Sequence, residues 1–82
     1  MRTYQPEYTK TFRDEQIRWF EERMDKLPQE LQINEYSRSR DLTFTVKALI
    51  RTLQANAPSV TFSGYMETLM QIKDRLIEQG ME

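Results

Sequence analysis

The sequence predicts an all-α fold, a small three-helix bundle preceded by an extended N-terminal arm. Three observations lead there. Apolar residues recur three or four apart in three separate stretches, the period of a helix with one buried face. Pro28 and the Asn56-Ala57-Pro58-Ser59 run punctuate those stretches. The chain is 82 residues long with no cysteine and two glycines, so it reads as one domain without disulfide staples. The predicted division is an arm over residues 1–10 and a single helical domain over 11–82.

The arm carries Tyr4, Pro6 and Tyr8 without helical periodicity. The first helix is predicted over 12–27, with Thr9 or Thr11 as cap and Asp14 and Glu15 in the first turn, where the helix dipole favours anions. Phe12, Ile17, Phe20, Met24 and Leu27 form its apolar face, and Trp19 lies beside it. Asp14 with Arg18, and Glu22 with Lys26, have the spacing of (i, i+4) ion pairs. Pro28 ends the helix, because a residue before proline disfavours the helical region.

Residues 28–40 read as a long irregular connection. Leu31 and Ile33 alternate with polar neighbours, as a short extended segment would, and tuck under the bundle. The second helix is predicted over 42–55 with Asp41 as N-cap and Leu42, Val46, Leu49, Ile50 and Leu53 as its buried face. Its β-branched content lowers helix propensity, so packing must supply the rest. The third helix is predicted over 61–79, capped by Ser59, Thr61 or Ser63. It has a broad apolar face of Phe62, Tyr65, Met66, Leu69, Met70, Ile72, Leu76 and Ile77. Gly64 weakens its first turns by about 1 kcal/mol relative to alanine. Gly80 suits the C′ position, where a left-handed residue ends a helix.

Composition removes several function classes. Without histidine or cysteine there are no imidazole bases, thiol nucleophiles or Cys/His zinc sites. No glycine-rich phosphate loop is present. The net charge of −1 gives no global field toward nucleic acid or membrane. Neither a secretory h-region nor an apolar run of about 20 residues is visible, so no membrane association is expected and the chain reads as cytoplasmic. Glu21 with Asp25, and Asp74 with Glu78, have (i, i+4) spacing but read as solvated surface charge. No catalytic residue, cofactor or metal ligand is assigned.

Two features remain. Trp19 sits at the edge of its apolar face, Phe44, Tyr36, Tyr4 and Tyr8 lack an obvious core slot, and aromatics are enriched at the centres of protein interfaces. Arg38, Arg40, Lys47 and Arg51 give the stretch from Tyr36 to Phe62 a local net charge of +3. At about 100° per residue Phe44, Lys47 and Arg51 share the face of the second helix opposite its core. The expected function is a non-enzymatic interaction or regulatory module, binding another protein or itself through Trp19, Tyr36 and Phe44. The alternative is a nucleic-acid-binding module that uses the basic cluster to neutralise phosphates and Phe44 to stack on a base.

Leu27-Pro28-x-x-Leu31 follows a helix carrying Trp19-Phe20. Asp41, Val46, Leu49, Leu53 and Asn56 come next, then Tyr65, Leu69, Ile72 and Leu76 in the last helix. This pattern, over residues 19–77, resembles a group of small helical proteins of unknown function from Bacteroides-type gut bacteria. The resemblance implies a helical fold and a cytoplasmic, bacterial origin, and brings no activity, cofactor or site residue with it. The basic run Arg38–Arg40 and the N-terminal arm lie outside the pattern.

Overall fold

The computed structural model describes residues 9–55 and 60–82. Helix α1 spans Lys10–Glu21, a single 3-10 turn covers Met24–Lys26, and strands β1 (Leu31–Asn34) and β2 (Ser37–Ser39) follow. Helix α2 spans Leu42–Ala55 and α3 spans Val60–Glu78. The two strands pair antiparallel. The protein is therefore mixed α/β, three helices with a two-stranded hairpin, and the expectation of an all-α bundle is corrected on that ground. The expected arm falls almost entirely on residues outside those described, as does the Asn56–Ser59 punctuation. Lys10 already belongs to α1.

Helix α1 starts early because Thr9 caps it: its Oγ1 accepts from the Phe12 amide at 3.0 Å. Asp14 and Glu15 consequently lie beyond the first turn. The helix also stops at Glu21, six residues short of the expected Leu27. The Arg23 guanidinium folds back and donates to the Trp19 carbonyl at 2.9 Å, satisfying an acceptor that the next helical turn would have used. The chain tightens into 3-10 geometry, and Met24 and Leu27 still reach the edge of the core. Leu27 itself is extended (φ −69°, ψ 138°), as a residue before proline should be. The ion pairs differ from those expected. Asp14 pairs with Lys10 and Arg13, not Arg18, and Glu22 pairs with Arg23, not Lys26.

The hairpin closes the stretch that reads as irregular. Leu31 faces Ser39 and Gln32 faces Arg38, but Asn34 faces Ser37, so Ile33 is the extra residue of a β-bulge. The turn contains neither glycine nor any residue with positive φ. Asn34 Oδ1 accepts from the Tyr36 amide at 2.8 Å and stands in for the missing turn chemistry. Leu31 and Ile33 are buried, as their alternation predicts. Ser39 is buried too, at 2.9 Å from the Thr45 hydroxyl. Because Thr45 Oγ1 donates to the Asp41 carbonyl, Ser39 is the donor of that bond.

Helix α2 has the predicted bounds, and Asp41 Oδ1 accepts from the Phe44 amide at its start. Its last turn carries no basic residue of its own. Arg13 of α1 supplies one, donating to the Leu53 carbonyl at 3.2 Å, where the helix dipole is negative.

Helix α3 packs against β1, α2 and, more lightly, α1. Phe62, Met66, Leu69, Ile72 and Leu76 are buried along one face. Ile17 and Phe20, Leu31 and Ile33, and Leu42, Val46, Ile50 and Leu53 converge on them. Arg75 of α3 donates to the Gln32 carbonyl at 2.9 Å and ties the hairpin down next to its bulge. The helix ends in a Schellman motif: Met81 N–H bonds the Leu76 carbonyl and Gly80 N–H the Ile77 carbonyl, each at 3.0 Å, with Gly80 at φ 103°. Among the described residues no helix is long and apolar enough to cross a membrane.

The two glycines have opposite expected responses. A methyl group on Gly64 meets no atom within 4 Å and the position is helical, so Gly64→Ala should stabilise the domain by about 0.5–1 kcal/mol. Gly80→Ala should destabilise it by about 1 kcal/mol, because alanine is strained in the left-handed region. Urea unfolding of the two variants checks both signs. Leu31→Ala, removing a side chain buried under the hairpin, should cost about 2–5 kcal/mol in the same assay.

Candidate functional site

The three aromatics singled out by the sequence occupy different environments. Trp19 is half-buried and packed on the core. Its ring meets Phe20 edge-on, with centroids 4.9 Å apart. The Arg23 guanidinium lies 4.4 Å from its centroid and the Lys73 ammonium 5.2 Å, so two cations occupy its surroundings. Lys73 is fixed in turn by the buried Gln16, whose Oε1 accepts from it at 2.8 Å. Trp19 thus belongs to the packing of α1 on α3. Tyr36 projects from the hairpin turn at 89% exposure, and Phe44 from the first turn of α2 at 68%.

The four basic residues also divide. Arg38 lies along the hairpin, its Nε donating to Glu30 Oε1 at 3.1 Å and its Nη1 to Gln32 Oε1 at 3.0 Å. Its charge is engaged locally. Arg40 is exposed just beyond β2, and Lys47 and Arg51 are exposed on α2. None of these three has an ion-pair partner among the described residues. Lys47 and Arg51 instead form one wall of a groove between α1 and α2, about 280 Å³ in volume, with Glu21 and Met24 opposite and Ile50 and Gln54 completing it. A second depression of about 410 Å³ adjoins it, sharing Glu21 and Gln54 and continuing along α1 past Arg18, Ile17 and Asp14 to Lys10.

Sequence reasoning pointed to the α2 wall and missed the α1 wall. Arg18 and Glu21 sit three apart on one helix, an ordinary surface pattern, and nothing local marks them as facing Lys47 and Arg51. The groove exists only once the two helices pack.

The charges inside it are unevenly used. Asp14 takes both Lys10, at 3.4 Å, and Arg13, at 3.1 Å. Among the described residues, Arg18, Lys47 and Arg51 remain without an ion pair, and Glu21 is the free carboxylate lining the two depressions. Of the carboxylate pairs seen in the sequence, Asp25 lies beyond the end of α1, and Glu78 is bonded to Arg75 at 2.9 Å. Among the described residues no three acidic side chains gather in a way that could hold a metal ion. No buried side-chain polar atom among them lacks a hydrogen-bond partner. What the groove presents is exposed positive charge beside a small apolar floor of Met24 and Ile50.

Partial desolvation pushes the Asp14 carboxyl upward, but hydrogen bonds from Arg13 and Lys10, with their positive charges, outweigh it and hold the group below its ordinary value. A carboxylate depressed in the folded state stabilises the fold above its unfolded value, near pH 4, and that contribution is lost as pH falls through the folded value. Asp14→Asn should therefore narrow the gap to wild type as pH is lowered from 7 to about 2.5 in urea unfolding. The Asp14 carboxyl should titrate by NMR below a model peptide's midpoint.

No curated protein and no solved structure matches the chain. One family model does, over residues 14–79, and its description is Domain of unknown function (DUF6965). The matched span takes in most of α1, the hairpin, α2 and the whole of α3, and it encloses the 19–77 pattern quoted above. The chain belongs to the DUF6965 family.

Proposed function

We propose that the domain is a non-enzymatic interaction module that binds another protein, or a second copy of itself, through the outer face of α2 and the tip of the hairpin. One observation carries this reading. Of the large apolar side chains the structure leaves exposed, Ile77 and Tyr65 of α3 are partly covered, whereas Phe44 stands at 68% exposure in the first turn of α2. Leaving a phenylalanine in water forgoes roughly 1.5–3 kcal/mol of burial, which a partner can recover. Tyr36, at 89%, offers a second aromatic with a polar end, the amphipathic type that interfaces favour. Trp19 is not part of this surface, because Arg23, Lys73 and Phe20 already surround its ring.

A second reading keeps the unpaired Arg40, Lys47 and Arg51 as phosphate contacts for nucleic acid. Two facts weigh against it: Arg38 is held by Glu30, and the chain carries a net charge of −1. The two readings part in one experiment. Wild type and a Phe44→Ala/Tyr36→Ala variant are used as baits in native cells, each eluate divided and one half treated with nuclease. A stoichiometric protein that survives nuclease and is lost with the double variant is the expected result. The variant's unfolding free energy should stay within about 0.5 kcal/mol of wild type, since both positions are exposed. Light scattering of the pure protein identifies a self-assembly that the variant would abolish. Partners that vanish with nuclease, or a protein bound equally by both baits, would overturn the proposal.

A further inference from the structure

We infer that the groove between α1 and α2 receives an acidic peptide segment of a partner protein, one that carries an aliphatic side chain among its carboxylates. The inference rests on the interaction reading and names the chemistry of the partner. Charge complementarity selects it. Lys10 and Arg13 share the single carboxylate of Asp14, while Arg38, Arg23 and Arg75 each have their own. Among the described residues the cations left without an ion pair include Arg18, Lys47 and Arg51, and these three line the two adjoining depressions, on both walls. The two depressions together are lined by Lys10, Arg13, Arg18, Lys47 and Arg51 against Asp14 and Glu21, an excess of three positive charges in a chain whose net charge is −1. An approaching polyanion therefore meets local attraction within a surface that is otherwise neutral or acidic.

The floor of the groove decides between anions. Ile50 and the half-buried Met24 form its apolar part, and among the described residues no aromatic ring lines either depression. Single-stranded nucleic acid takes much of its affinity from stacking on aromatic faces. An aliphatic floor with a thioether instead suits Leu, Ile, Val or Met, with methionine adapting to the shape that arrives. Depressions of about 280 and 410 Å³, joined end to end and open to solvent, match an extended segment. Phe44 and Arg40 lie on the same helix or just before it, where the body of a partner that threads this segment would meet them.

The test is a selection of random 12-residue peptides displayed on phage, with the purified full-length chain as bait. Lys47→Glu/Arg51→Glu and Phe44→Ala/Tyr36→Ala serve as parallel baits. The expected winners are net negative and contain an aliphatic residue. Synthesised with a fluorescent label, they should lose at least about tenfold in affinity on Lys47→Glu/Arg51→Glu, keep it on Lys47→Arg/Arg51→Lys, and weaken with added salt. Both reversed positions are exposed, and circular dichroism melting confirms that the fold is retained. Winners that are neutral or basic, or that ignore the charge reversal, overturn the inference. If such winners are lost on Phe44→Ala/Tyr36→Ala, the interaction reading stands without it. Absence of any enriched peptide also overturns it, and leaves the interaction reading to the co-purification. A labelled dT12 strand is titrated alongside: binding that falls on Lys47→Glu/Arg51→Glu while peptides fail assigns the groove to nucleic acid instead.

Discussion

The apolar stripe of α3 is the constraint on which the other elements depend. Phe62, Met66, Leu69, Ile72 and Leu76 follow one another at steps of three and four, so they present a single face. With no disulfide and a short chain, that face must be covered by everything else available. Two helices alone leave part of it open, and β1 is seated there with Leu31 and Ile33 pointing in. The bulge at Ile33 and the Arg75 bond to the Gln32 carbonyl follow from that seating. A two-stranded hairpin is marginal on its own and persists because a helix lies against it.

Covering α3 from several sides has a consequence between the helices. Helix α2 packs broadly on α3, whereas α1 meets α2 and α3 over equally narrow contacts. Arg13 reaches across to the last turn of α2, and beyond that tie the helices separate into a groove. The fold and the candidate surface are thus one arrangement seen from two sides. What buries the core on the inner face leaves an open seam on the outer one.

The sequence carried the helices well where their signals are local. The bounds of α2 follow from Asp41 and an uninterrupted apolar period, and the end of α3 from Gly80. Two elements were illegible for physical reasons. Phe20, Met24 and Leu27 continue a helical period past Glu21, but a 3-10 turn also brings residues to one side, and the Arg23 side chain that ends α1 sends no signal of its own. Strand β2 is Ser37-Arg38-Ser39, without apolar alternation or a glycine turn, and it exists through pairing and the Ser39–Thr45 bond. For the candidate surface, the exposure of Tyr36 and Phe44 is readable as bulk without a core slot. The two cations beside Trp19 are not, since Lys73 reaches it from a helix more than fifty residues later in the chain. Nor is the pairing of Arg18 and Glu21 on one wall with Lys47 and Arg51 on the other.

Unpaired cations on a surface are not strained, since water solvates them, and exposed ion pairs contribute only about 0–1 kcal/mol in any case. The absence of partners around Lys47 and Arg51 therefore costs the free protein nothing. Its effect arises on contact. When a second surface excludes water, each ammonium or guanidinium must be met by an anion or pay a desolvation penalty of several kcal/mol. On the proposed reading, a groove whose unpaired cations outnumber its free carboxylate would reject neutral and basic partners more strongly than it attracts acidic ones. In the proposed complex its charges would set which partner is admitted, and apolar contacts, chiefly at the exposed Phe44, would supply the affinity once that partner is seated. On this division of labour charge reversal would change the identity of what binds, whereas truncating Phe44 would change how tightly it is held.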